Sequence, residues 1–232
     1  MADYVLVHGA WHGAWCWKRI LPGLWQAGHR AFAVSLSGVG ERAHQIGTPI
    51  TLQTHVEDVA RVIEAEELDA AVLVGHSYAG MVVTGVADRM AARIRHLVYL
   101  DAVVPNPGES WSSRHSPETQ RDRRAQISQH GSLPPAAPTA FGLDGEDAAW
   151  VQRRQTPQPG GVYDSPLQFD GARVFSLPKT FIDCTDPALP TVAASRQRVR
   201  SEPGWQVVEI PTGHDAMISA PRELLAALLA LA

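Results

Sequence analysis

Only two cysteines, Cys16 and Cys184, occur in the 232 residues. They are too few for a disulfide framework, so a reducing, cytoplasmic setting is expected. Positive charge is not in excess either: 20 Lys and Arg face 24 Asp and Glu, for a formal charge of −4. Gripping a phosphate backbone needs clustered cations, so nucleic acid is not an expected partner. Membrane-spanning length is missing, since the apolar stretch Leu224 to Ala232 is short and follows Arg222 and Glu223. Residues Met1 to Tyr4 run straight into an apolar strand, without the basic and long apolar regions of a secretory signal, so none is expected. Internal repeats of solenoid period are absent. No metal-ligand cluster is visible, and neither a metal nor a cofactor is expected. What remains is an ordinary globular balance of 45% hydrophobic and 19% charged residues, enough for one large domain, as a monomer or a homodimer.

Short apolar runs alternate with segments of helical period. Tyr4–Val7, Ala31–Val34, Ala70–Val74, Ile94–Leu100, Thr180–Cys184 and Val207–Ile210 read as strands. Cys16 to Ala27, Thr51 to Ala65, Met81 to Met90 and Arg222 to Leu231 read as helices, with Thr51 and Thr54 at the start of the second. Near-continuous apolar strands alternating with helices predict an α/β fold: a mostly parallel sheet of about six strands, flanked by helices on both faces. The pattern breaks between Pro105 and Pro178, a stretch that holds 10 of the 17 prolines. It is too long for a connecting loop. Because it carries Trp111, Phe141, Trp150 and Phe169, which need burial, residues 105–178 are expected to form an inserted cap or lid. Residues 1–104 and 179–232 would then form the core.

The run Gly75-His76-Ser77-Tyr78-Ala79-Gly80 joins a strand to a helix. A chain reversing that sharply strains its middle residue, needs small residues two before and two after it, and thrusts the serine hydroxyl out at the carboxyl edge of the sheet. Ser77 is therefore the expected nucleophile. Serine needs a base, and His214, in Pro211-Thr212-Gly213-His214-Asp215 beyond the last strand, returns to the same edge. A carboxylate should orient that histidine. Asp186, after the strand Thr180–Cys184, is placed ahead of Asp101, at the end of Ile94–Leu100. Asp183 is expected to face away within its strand, and Asp215 to act as a helix cap or surface charge. Backbone N–H groups should receive the developing oxyanion. Tyr78 supplies one and Ala10 the other, with Trp11 as second choice, Gly9 turning the loop and His8 bracing it. Trp11 and His12 are candidate pocket residues; His12, His44, His55 and His76 otherwise serve structural or solvated roles. Trp15, Trp17 and Trp25 are expected to pack on the sheet.

His8-Gly9-Ala10, Gly75 to Gly80, Cys184-Thr185-Asp186 and Gly213-His214 together resemble the α/β-hydrolase superfamily. Val5 to Trp17, Leu36 to Arg42 and Val98 to Ala102 are similar to the branch holding plant methylesterases, plant hydroxynitrile lyases and small bacterial carboxylesterases. The resemblance implies a serine carboxylesterase acting on a small-molecule ester through an acyl-enzyme. The lyases of that branch carry a threonine after the first-strand histidine and a lysine after the base; Gly9 and Asp215 stand there instead, which favours hydrolysis. Cyanohydrin or carbon–carbon bond cleavage, and a hydrolase-derived ligand-binding protein with weak turnover, are the alternatives.

Overall fold

The computed structural model describes all residues, Met1–Ala232. Its frame is one six-stranded sheet. Strands β1 (Asp3–Val7), β2 (Arg30–Val34), β3 (Ala71–His76) and β4 (Ile94–Leu100) are followed, after a short two-residue ribbon of β5 (Ser132–Leu133) and β6 (Gln158–Pro159), by β7 (Lys179–Cys184) and β8 (Trp205–Ile210). The order across the sheet is β2-β1-β3-β4-β7-β8, and every neighbouring pair is parallel. The order reverses direction at β1, so β3 and β4 lie at the centre, where ligands of open α/β sheets gather beyond the strand carboxyl ends.

Helices α1 (Leu21–Gln26), α2 (Leu52–Ala65) and α3 (Ala79–Met90) come from the first half of the chain; α4 (Pro117–His130), α5 (Gly145–Gln152) and α6 (Gly171–Phe175) from the excursion between β4 and β7; α7 (Ala193–Ser201), α8 (Ala216–Ser219) and α9 (Pro221–Leu229) from the end. The six strands expected from the apolar runs are all present. Cys16 to Ala27, read as one helix, is a 3-10 turn over Ala14–Arg19 followed by α1. At the start of α2 the Thr51 N–H donates to the Thr54 hydroxyl at 3.1 Å.

Alternation along each strand sorts the core into two layers. Val5, Val7, Leu73, Leu97, Tyr99 and Phe181 face α2 and α3 in a cluster of 38 buried residues. Tyr4, Leu6, Val72, Val74, Val98, Leu100 and Ile182 face α9 in a cluster of 23. Helix α9 is fixed there by burial of Leu224 and Leu228, and its Leu228 carbonyl accepts from the Tyr4 hydroxyl at 2.8 Å. Trp17 is fully buried and Trp15 half-buried, but Trp25 is 54% exposed, so it does not pack on the sheet as expected. The excursion between β4 and β7 joins the larger cluster through Trp111, Phe141, Val162, Tyr163 and Leu167.

Candidate active site

Strand β3 is buried along its whole length and leads directly into Ser77, whose φ is +57°. A side chain at positive φ is strained and persists only where its surroundings hold it. Here the Ser77 N–H donates to the Leu100 carbonyl at 3.1 Å, and the Ser77 carbonyl accepts from Gly80 and Val103 at 3.1 and 3.0 Å. The space for this turn is made by glycine. A Cβ on Gly75 would lie 2.8 Å from the Ala79 carbonyl oxygen, and one on Gly80 only 1.9 Å from that of Val103. The methyl group of Ala79 is accommodated, so the position that tolerates no side chain is Gly80.

His214 arrives from the loop after β8. Its N–H donates to the Phe141 carbonyl at 2.9 Å and its carbonyl accepts from His76 Nε2 at 3.0 Å, which fixes the backbone on both sides of the ring. His214 Nε2 stands 2.8 Å from Ser77 Oγ. Its Nδ1 stands 2.6 Å from Asp101 Oδ2. With Nδ1–H donating to the carboxylate, the Nε2 lone pair faces the serine hydroxyl, the arrangement a general base requires.

The carboxylate on His214 is therefore Asp101, which corrects the expectation that Asp186 stands ahead of it. Asp186 is exposed in the turn after β7, where its N–H donates to the Thr212 carbonyl at 3.0 Å and its side chain meets no partner. Asp101 is fully buried at the end of β4, directly beside β3. Its φ of +40° turns the side chain off the strand path while its N–H donates to the Ile182 carbonyl at 2.7 Å. Sequence reading missed Arg196 of α7, whose Nη2 lies 2.6 Å from Asp101 Oδ1 and whose Nε pairs with Asp183. Burial alone would lower the Arg196 pKa, but Asp101 and Asp183 hold it above the usual guanidinium range. Nothing in the spacing of Asp101, Asp183 and Arg196 announces this cluster, because adjacent parallel strands assemble it.

Two backbone N–H groups stand free on the turns that follow β1 and β3. Those of Ala10 and Tyr78 donate to no protein acceptor, as an oxyanion hole demands. The Gly9 carbonyl accepts from His8 Nδ1 at 2.7 Å, and His8 Nε2 accepts from the Leu36 N–H at 3.1 Å. His8 is thus a neutral brace, and burial holds its pKa down at about 3. Gly9 is needed for room: a Cβ there would sit 2.8 Å from Ser77 Cβ. Trp11 cannot be the second donor, because its N–H is spent on Gln158 Oε1 at 3.0 Å.

A model of the Alpha/beta hydrolase family matches residues 4–228. The chain belongs to the α/β-hydrolase family. It is 43% identical over 243 residues, covering all of both chains, to a carbendazim hydrolyzing esterase of Nocardioides sp. (strain SG-4G). It is 30% identical over 258 residues to a probable esterase of Oryza sativa subsp. japonica, covering 99% of this chain and 96% of that one. Among solved structures, an extracellular alpha/beta-hydrolase from a Paenibacillus species superposes with a TM-score of 0.85 at 20% identity, over 100% of this chain and 99% of the other. No helix of this family member is long and apolar enough to cross a membrane.

Above the family's sheet edge stands an aromatic wall. The Phe141 ring centroid is 5.5 Å from that of His214, and Trp111 is 5.0 Å from Tyr78. Trp11, at φ +66°, stacks on Phe141 at 6.1 Å and donates from Nε1 to the Leu133 carbonyl at 3.2 Å. The Arg123 guanidinium of α4 lies 5.2 to 5.7 Å from the rings of Trp111, Trp11 and Tyr163, with no carboxylate partner. A cavity of about 300 Å³ beside Trp11 is lined by Arg123, Gln126 and Leu133. Tyr163, Gln158 and Arg123 escaped the sequence reading, since only the folded excursion brings them to Trp11.

The other histidines fall beneath or beside this wall. His12, expected in the pocket, is 2% exposed under the Ala10 loop, stacked on Trp15 at 5.2 Å. His55 is buried, accepting from the Tyr78 hydroxyl at 3.0 Å and donating to the Ser37 carbonyl at 2.9 Å; burial brings its pKa down to about 4. His44 is exposed. Asp215 stands at the N-cap position of α8, as expected, but its side chain makes no capping bond, and it is fully buried rather than a surface charge. His76, His214 and Asp215 place ligand atoms within 4.8 Å of one another. They are a poor metal cage, because His76 Nε2 is engaged by the His214 carbonyl and both His214 nitrogens by Ser77 and Asp101.

Proposed function

We propose that this chain is a cofactor-free serine carboxylesterase of small-molecule esters, with Ser77 as nucleophile, His214 as base and Asp101 as acid. The observation that carries the reading is the continuous line from Ser77 Oγ through both His214 nitrogens to Asp101, at 2.8 and 2.6 Å. Ser77 attacks the ester carbonyl while His214 Nε2 takes its proton, and the amides of Ala10 and Tyr78 receive the oxyanion. His214 then protonates the departing alcohol, and water delivered by the same imidazole hydrolyses the acyl-enzyme. Asp101 holds the Nδ1–H tautomer and stabilises the imidazolium. Esterase names among the curated relatives support the same reaction. Residues 105–178 act in this reading as the lid whose aromatic wall selects the substrate. The protein works in the cytoplasm, as a monomer or a homodimer.

Turnover of p-nitrophenyl acetate by the wild type, abolished by Ser77→Ala, is the expected result. Equal turnover in the variant overturns the mechanism. A panel varying acyl and alcohol parts separately, with carbendazim included on the strength of the relative's name, defines the substrate. Cyanohydrin cleavage is disfavoured because the position after the base carries a buried Asp215 and not a cation that could hold departing cyanide. Mandelonitrile should release no cyanide.

A further inference from the structure

We propose that Asp215 and His12 form a buried charge pair that positions the Ala10 amide of the oxyanion hole relative to the base His214. The proposal rests on the esterase reading and deepens it. Asp215 is fully buried and His12 2% exposed, with His12 Nε2 at 3.3 Å from Asp215 Oδ2. No backbone N–H or hydroxyl donates to either Asp215 oxygen. A carboxylate so placed requires a facing cation.

Proton accounting identifies that cation. His12 Nδ1 lies 2.8 Å from the Ala10 carbonyl, which can only accept, so Nδ1 carries a hydrogen. A neutral ring would then leave its Nε2 lone pair 3.3 Å from the carboxylate, so the pair needs His12 as an imidazolium, held by charge rather than by an aligned hydrogen bond. His76 cannot substitute. Its Nε2–H is given to the His214 carbonyl, with Asp215 Oδ1 farther away at 3.5 Å, and its Nδ1 is buried without a partner. The pKa directions agree. Burial lowers His12 but Asp215 overrides it and raises it; burial raises Asp215 but His12 and His76 bring it down to about 2.

The pair matters because of what His12 holds. The peptide from Ala10 to Trp11 is clamped at its carbonyl by His12 and at its N–H by Gln158. The preceding peptide is clamped at the Gly9 carbonyl by His8. The Ala10 N–H is what these clamps leave free, and they set its direction. Asp215 follows His214 in the chain, so the charge pair ties the loop that offers the base to the loop that offers the oxyanion donor. His12 and Asp215 are positioning residues, touching neither substrate nor reacting atoms.

A double-mutant cycle on kcat tests this. His12→Gln strands the buried carboxylate and lets the Ala10 peptide tilt. It should lower kcat for p-nitrophenyl acetate by about a hundredfold, with KM changed less than about twofold, because misplacement of this order costs the transition state and not the ground state. Affinity for a trifluoromethyl ketone, whose adduct places an oxyanion in the hole, should fall in parallel. Adding Asp215→Asn removes the stranded charge and should recover at least about tenfold in kcat, a gain that simple loss of packing cannot give. If His12→Gln does not fold, the double variant should fold, and that restoration is the same rescue. The proposal is overturned if folded His12→Gln keeps kcat within about threefold, if the loss lies in KM, or if the second substitution deepens the loss. Absence of Ser77-dependent turnover in the wild type would instead strike the esterase reading before any variant is compared.

Discussion

Arg196 grips Asp101 on the oxygen that His214 leaves free: Nη2 to Oδ1 is 2.6 Å, while Oδ2 faces His214 Nδ1 at the same 2.6 Å. The guanidinium also pairs with Asp183, and Asp101 and Asp183 are both buried. Removing it strands the Asp101 Oδ1 and leaves Asp183 to Arg200 alone, whose Nη2 lies 2.7 Å from Asp183 Oδ2. Arg196→Met is expected to cost about 3–5 kcal/mol, the usual penalty for breaking a buried pair, as read by urea denaturation. Residual folded enzyme should also turn over about tenfold more slowly, since Asp101 would be free to swing away from the imidazole. A variant as stable as wild type would remove Arg196 from this role.

The two aspartates at strand ends separate cleanly by mutation. Asp101→Asn should lower kcat by about 10⁴, the effect of losing the correct histidine tautomer. Asp186→Asn, exposed and without a side-chain partner, should stay within about twofold. The opposite ranking in steady-state assays would return the acid to Asp186.

Gly80→Ala tests the packing behind the nucleophile. Alanine favours a helix by about 1 kcal/mol over glycine. Its methyl would press on the Val103 carbonyl oxygen at 1.9 Å, a backbone atom that cannot rotate aside. The clash should dominate, with a net loss of about 2 kcal/mol, or a fall in Tm of roughly 4–8 °C by calorimetry. Because Val103 donates to the Ser77 carbonyl, esterase activity should fall with it.

Acid stability follows from three buried histidines held neutral. Burial lowers His8 to about 3, His55 to about 4, and His76 well below its ordinary value. The unfolded chain takes up these protons below about pH 6.5 while the native state refuses them, so stability is full above that pH and declines as pH falls toward 4. Each histidine contributes a slope of about 1.4 kcal/mol per pH unit in that window. His55→Gln should remove one such proton from the slope measured by urea titrations between pH 6.5 and 4.5. An unchanged slope would mean that His55 is already protonated in the native protein.

Much of this was legible in advance. Apolar runs at Tyr4–Val7 and Ile94–Leu100 marked strands because parallel strands buried on both faces must be apolar throughout. The meeting of Ser77 and His214 at one sheet edge was legible, Ser77 because a strained strand-to-helix turn demands flanking small residues, and His214 because it follows the last strand. The acid was not, since Asp101 and Asp186 both follow strands; the choice depends on a φ of +40° and on an arginine 95 positions away. Asp215 was misplaced for a similar reason. A charged residue beside a loop histidine ordinarily faces water, and its partner His12 stands some 200 positions earlier in the chain. Trp25 shows the limit in the other direction, a large apolar side chain left at the surface.

Strands β3 and β4 are direct neighbours, and the Ser77 N–H is bonded to the last carbonyl of β4. The spacing between Ser77 and Asp101 is therefore written into one ladder of backbone hydrogen bonds at the middle of the sheet. In that arrangement the turn from Thr185 to Leu189 bears no catalytic side chain. Its backbone is the part that matters, since the Leu189 carbonyl accepts from Arg196 at 2.7 Å, so grafting a turn with other side chains that keeps this carbonyl offers a route to altering this face of the molecule while leaving the chemistry in place.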